Sequence, residues 1–218
     1  MAKPTDAGTS RDPDLSEEAA LATGGFSRIA GVDEAGRGAW AGPLVAAAVI
    51  LPHPGELADT ALSGLRDSKL LGHDQREALF ERVIGLARAV GVGAVSADEL
   101  DLLGLTAANE LAMARAVRGL HLAPDFLLVD AFRLRSVSLP QRGIIRGDRR
   151  CLSIAAASVV AKVYRDWWLE GLGRRHIGYG FEQHRGYGVA AHQEAIRSQG
   201  LTPVHRLSYA PLRGLPCP

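Results

Sequence analysis

The sequence predicts an α/β domain built on a mixed sheet. Apolar runs of strand length alternate with stretches of helical spacing. Two of those runs follow closely enough near the start to form an early hairpin. The 218 residues suit one full domain.

Residues 1–27 read as a flexible tail, with a short helix available over 15–22. The folded domain is expected over 28–218. Arg28 to Asp33 is a short apolar strand running into the turn-like Gly36-Arg37-Gly38. Leu44 to Leu51 (LVAAAVIL) is a strand apolar on both faces. Residues 64–72 form a loop carrying Asp67-Ser68-Lys69. Leu79, Val83 and Leu86 set a helix over 74–89, and 90–95 is a strand. Ser96 and Glu99 match a capping box and open a short helix. A helix over 106–120 follows. Pro124 then breaks the pattern before the strand Phe126 to Asp130, which ends in a carboxylate. A short strand over 143–146 precedes a long helix over 153–172, with Ser153 as its expected cap. The last helix, 189–198, is closed by Gly200.

Bulk properties exclude several classes. No run is long enough to span a bilayer, and there is no secretory leader pattern. Two cysteines, Cys151 and Cys217, supply neither a disulfide framework nor a metal knuckle. A cytoplasmic monomer is the simple expectation. Residues 1–130 hold 11 Lys+Arg against 19 Asp+Glu, whereas 131–218 hold 14 against 5. That polarity suggests a polyanionic partner met by the C-terminal half.

The chemistry concentrates in acids at strand ends. Asp33 and Glu34 are consecutive, and a bend at Gly36 could aim both at one point. Asp130 ends its own strand, and Asp148 sits in Arg146-Gly147-Asp148-Arg149. Ligands gather at strand ends in open α/β sheets. Clustered carboxylates stay ionised when cations neutralise them, and hard oxygen donors favour Mg²⁺ or Mn²⁺ over zinc. Two such ions ~4 Å apart can stabilise both oxygens of a phosphodiester displacement.

These segments together resemble ribonuclease HII, the bacterial type 2 ribonuclease H. The resemblance rests on ordered motifs: GVDEAGRG at 31–38, GPLVAAAVIL at 42–51, DSK at 67–69, LLVDAF at 127–132, Gly147-Asp148, SIAAASVVAKVYRD at 153–166, YGFEQHRGYG at 179–188, His192, and HRLSYAP at 205–211. It implies a ribonuclease H-like fold: a central mixed five-stranded sheet flanked by helices, with a small helical C-terminal segment from about 173. It implies that Asp33, Glu34, Asp130 and Asp148 are the catalytic acids that hold Mn²⁺ or Mg²⁺. Gly36, Arg37 and Gly38 are implied to inspect the 2′-hydroxyl at an RNA–DNA junction. Tyr187 would pack on the next sugar, and Ser68, Lys69, Ser158 and Lys162 would contact phosphates. The implied substrates are RNA/DNA hybrids and duplex DNA containing ribonucleotides, which places the activity in ribonucleotide excision and DNA replication and repair.

The chain departs from the family pattern at Ala39 and Trp40, at Leu70 and at Val189, where a helix cap is lost. Outside the motifs, Arg142, Arg146, Arg149 and Arg150 suggest phosphate binding. Lys162 and Asp166 suit an i,i+4 pair. Trp167 and Trp168 are expected as core and groove packing. Two rival readings are a non-catalytic hybrid binder and a nucleotide-binding glycine loop at 36–42. The intact acid set opposes the first; the absence of GxxxxGK[ST] opposes the second.

Overall fold

The computed structural model describes residues 13–57, 62–65 and 72–215. The Ser68–Lys69 pair and Leu70 therefore lie outside the described residues. Helix α1 spans Ser16–Thr23, and strands β1 (Ile29–Ala35) and β2 (Leu44–Ile50) follow. Next come α2 (His73–Leu86), β3 (Ala89–Val95), α3 (Ala97–Leu103) and α4 (Leu105–Arg118). Strands β4 (Phe126–Asp130) and β5 (Gln141–Ile144) precede a 3₁₀ turn at Gly147–Arg149. Helices α5 (Leu152–Arg175), α6 (Phe181–His184) and α7 (Ala190–Gln199) complete the chain.

The five strands form one mixed sheet in the order β3-β2-β1-β4-β5. β1 is central, antiparallel to β2 and parallel to β4. Period-2 alternation sends Ala30, Val32, Ala46 and Ala48 toward α4. Ala47 and Val49 point the other way, toward α5 and α2. β2 is buried along its whole length, as its unbroken apolar run predicts.

Small residues let the helices sit close. A Cβ on Gly91 would lie 2.2 Å from the Ala116 carbonyl oxygen, and one on Gly93 would lie 2.2 Å from that of Ala112. Two strand residues rise about 6.8 Å and one helical turn about 5.4 Å, so the two glycines meet successive turns of α4. On the other face, a Cβ on Gly31 would fall 2.1 Å from the Ser153 carbonyl carbon. The start of α5 therefore rests directly on the central strand.

Residues 13–27, read from the sequence as part of a tail with a short helix, pack on the domain. Asp14 bridges to Cys151, and Leu21 is buried with Ile29, Phe126 and Ile154. Glu18 also supplies the cap expected of Ser153: its carboxylate accepts from Ser153 N (2.9 Å) and Ser153 Oγ (2.6 Å). Burial holds the Glu18 carboxyl above its usual range, partly offset by those bonds. At the other end, α5 runs through Arg175, so the boundary near 173 falls inside a helix. The segment beyond it has its own small core of Leu169, Tyr179, Phe181, Ile196 and Leu201. Val189 caps α7 without a side-chain bond, as its apolar side chain predicts.

Candidate active site

The parallel register brings the acids together. Val32 pairs with Val129, so Asp33 and Asp130 are the next residues on adjacent strands, at the same end of the sheet. The bend expected at Gly36 is there. Asp33 and Glu34 still pair with Ala47 and Ala46, and the chain turns at Gly36, where φ is +86°. Asp33 is 3% exposed. Its carboxylate accepts from Glu34 N at 2.8 Å and faces the Ser158 hydroxyl. Burial, then the charges of Glu34 and Asp130, push the Asp33 carboxyl well above its ordinary range. Asp130 accepts from Gly147 N at 2.7 Å, which ties it to the 3₁₀ turn that carries Asp148. Among the described residues, no three His, Cys, Asp or Glu side chains are gathered closely enough to hold an ion. The donor chemistry nonetheless suits a hard cation: oxygen donors whose mutual repulsion a positive charge relieves.

Beside the acids lies a cleft of about 290 Å³. It is lined by Glu34, the Gly36-Arg37-Gly38 loop, Ser158, Lys162 and Tyr187, with Arg76 from α2. Six residues named from the sequence besides Glu34 thus share one wall. Lys162 pairs with Asp166, as its spacing predicts, and burial lowers its pKa. Asp166, 2% exposed, also attracts Arg76 (3.4 Å) and Arg185 (3.8 Å). Arg37 reaches Glu34 at 4.0 Å.

Sequence reasoning missed the supports of this loop. Arg165 and Arg206 are both 0% exposed. Arg206 donates to the carbonyls of Gly36 (2.7 Å), Arg37 (3.2 Å) and Gly42 (3.0 and 2.9 Å). Arg165 donates to those of Ala41 (3.1 Å), Pro43 (3.0 Å) and Arg185 (2.9 Å), and its guanidinium lies over the Tyr187 ring. Carbonyl dipoles satisfy both cations, and burial with the neighbouring Arg206 charge pushes the Arg165 pKa down to about 10. A Cβ on Gly36 would fall 1.8 Å from Arg165 Nε, so glycine is needed there for space as well as for backbone. Arg206 stands inside a recognised motif, but nothing in the local pattern marks it as buried.

Other expectations fare differently. Arg142 and Arg150 pair with Glu17 of α1 (2.6 and 3.5 Å), which draws half of that arginine cluster into the fold. Trp167 and Trp168 are 40% and 53% exposed rather than core. Trp167 packs edge-on against Phe80 and donates to Glu77, while Trp168 lines a groove. Cys151 is buried and free, a small apolar residue in effect. No helix of the described residues is long and apolar enough to cross a membrane.

A mixed five-stranded sheet with carboxylates at the ends of its parallel central strands defines a ribonuclease H-like enzyme. Solved structures agree. The ribonuclease H2 from Pyrococcus horikoshii OT3 superposes with a TM-score of 0.72 at 26% identity, covering 85% of this chain and 95% of that one. Bst-RNase HIII in complex with Mn²⁺ shares the fold at TM-score 0.67 and 19% identity, over 89% of this chain and 71% of that one. The family model for ribonuclease HII matches residues 30–212. The Ribonuclease HII of Roseiflexus castenholzii is 55% identical over 92% of this chain and 89% of its own length. That of Geobacillus kaustophilus is 52% identical over 90% and 73%. The chain belongs to the ribonuclease HII family, and its activity is that of a ribonuclease H, an endoribonuclease acting on RNA/DNA hybrids.

Proposed function

We propose that the cleft cuts the RNA strand of hybrids and cuts 5′ to ribonucleotides embedded in duplex DNA. The observation that carries this is the shared wall: the acid-bearing strand end, the Gly36-Arg37-Gly38 loop and Tyr187 meet at one 290 Å³ cleft. Asp33, Glu34, Asp130 and Asp148 are the residues that would hold Mn²⁺ or Mg²⁺. Such ions supply an activated water and charge neutralisation at the leaving oxygen. The Gly36-Arg37-Gly38 backbone, held from behind by Arg206, presents peptide groups to a ribose 2′-hydroxyl. Tyr187, 39% exposed, offers a flat face to the following deoxyribose. Ser158 orients Asp33, and Lys162 contributes positive charge for a phosphate. Ser68 and Lys69 would add phosphate contacts. The products are a 3′-hydroxyl and a 5′-phosphate. The reading further assigns a cytoplasmic monomer that serves ribonucleotide excision.

The test uses two substrates, a duplex with one embedded ribonucleotide and an all-RNA/DNA hybrid, each with Mg²⁺ and with Mn²⁺. Cleavage of both, with the single cut 5′ to the ribonucleotide, is expected. Asp130→Asn should abolish it while keeping the Gly147 bond. An Asp130→Asn protein that cuts at the wild-type rate refutes the assignment.

A further inference from the structure

We infer that His205 and His192, with His184 stacked on the latter, form an imidazole relay that positions Tyr187, and through it the enzyme's preference for an RNA–DNA junction. This rests on the substrate reading above.

Two backbone groups fix the direction of the relay independently. At one end Thr202 N donates to His205 Nδ1 at 2.9 Å. A peptide N–H cannot accept, and its contact is shorter than the 3.3 Å from the same nitrogen to the Thr202 carbonyl, so the lone pair is assigned to His205 Nδ1 and the proton to Nε2. At the other end His192 Nδ1 lies 3.0 Å from the Tyr187 carbonyl oxygen. A carbonyl cannot donate, so His192 carries its proton on Nδ1 and its lone pair on Nε2. The two Nε2 atoms are 3.1 Å apart. The tautomers required at the two ends therefore meet as donor and acceptor. Charging either ring would set two N–H groups face to face.

His184 is fixed in the same way. Gly186 N donates to its Nδ1 (3.2 Å), and its Nε2–H donates to the Tyr179 carbonyl (2.7 Å). Its ring stacks on His192, with centroids 4.5 Å apart and planes 17° apart. The turn these rings hold is not self-supporting. Arg185 has φ +52° and Gly186 φ +76°, two successive left-handed residues that swing Tyr187 into the cleft. A non-glycine residue such as Arg185 is strained there, so the turn persists because neighbours over-determine it. His192 and His205 are 0% and 2% exposed, and burial is the first cause holding each pKa down at about 4, which keeps both neutral at pH 7. Trp40 packs against Gly188, where a Cβ would lie 2.1 Å from the indole, and against the His192 ring at 6.0 Å between centroids.

Two experiments test the relay. Long-range ¹H–¹⁵N spectra of the wild-type protein at pH 7 should show His205 protonated on Nε2 and His192 on Nδ1, the less common tautomer in water. Any other pairing, or a charged ring, overturns the proposal without needing a variant. The second compares kcat/KM for the single-ribonucleotide duplex and the all-RNA/DNA hybrid in Mn²⁺. His192→Leu should lower the ratio of the two by about tenfold, the effect of one lost buried hydrogen bond. His192→Asn, whose Nδ2 stands where Nδ1 stood, should restore the ratio to within about threefold. An unchanged ratio in His192→Leu, or equal losses on both substrates, overturns it. In Tyr187→Ala the further change His192→Leu should leave the ratio alone; an additive loss refutes action through Tyr187. A wild-type protein that cuts neither substrate refutes the substrate reading, while the spectra still decide the relay.

Discussion

Asp33→Asn should raise the stability of the metal-free protein while removing its activity. The substitution is close to isosteric, and an amide oxygen can still accept from Glu34 N (2.8 Å) and from the Ser158 hydroxyl. What disappears is an acid buried at 3% exposure beside two others, Glu34 and Asp130, whose ionisation the fold disfavours. Relief of a poorly compensated buried charge is worth about 1–3 kcal/mol. At this chain length each kcal/mol moves Tm by roughly 2–4 °C, so a rise on the order of 2–12 °C is expected in EDTA. Manganese should reverse the order. The wild type gains about 2.7 kcal/mol at a hundredfold excess over Kd, and the variant, short of a ligand, gains less. Calorimetry at pH 7.5 with EDTA and with Mn²⁺ reads both effects, beside a hybrid-cleavage assay. A variant that melts below wild type in EDTA refutes the argument that this site stores repulsion for a cation. So does a wild type that Mn²⁺ leaves unmoved.

Gly36→Ala should destabilise by about 2–4 kcal/mol in urea melts, because a left-handed φ of +86° and a Cβ 1.8 Å from Arg165 Nε both oppose it. Retained wild-type stability would mean that the buried arginine does not brace the loop. Glu18→Ala strips α5 of its remote cap and should cost about 1–3 kcal/mol, seen as a Tm loss of roughly 2–12 °C. Acid should also weaken the fold through the histidines. His192 and His205 titrate near 4 when folded and near 6.5 when unfolded, so the unfolded chain binds more protons between those values. Their contribution is full above pH 6.5 and is lost as pH falls toward 4. Urea melts at pH 7 and pH 5 should differ less in a His192→Asn background than in wild type.

The parts of this molecule legible in the sequence are those whose causes are local. β4 lies at Phe126–Asp130 as read, because an apolar run ends there on one carboxylate. The Ser96–Glu99 capping box forms as read, with Glu99 bonded back to Ser96 N at 3.1 Å. The acids were legible as residues, but their meeting depends on parallel pairing of β1 with β4, which no local pattern encodes. The unread supports are all non-local. The cap of α5 comes from Glu18, 135 positions away, and the loop at Gly36 is braced by Arg206, 170 positions away. Arginine and histidine are ordinarily surface residues, so their burial here becomes evident only once the carbonyls they serve are placed.

The remote cap on α5 sets an order of events during synthesis. Glu18 leaves the ribosome 135 residues before Ser153, its partner. At 5–20 residues per second that interval is about 7–27 s. In the part of it before Phe126 emerges, β1, β2 and β3 can assemble as a meander, while the edge of β1 that β4 will occupy stays unpaired. Nascent chains are thus exposed to strand-to-strand association for several seconds at the element that carries Asp33. Slower translation across 100–150 should lengthen that window and lower soluble yield, with no change to the finished enzyme.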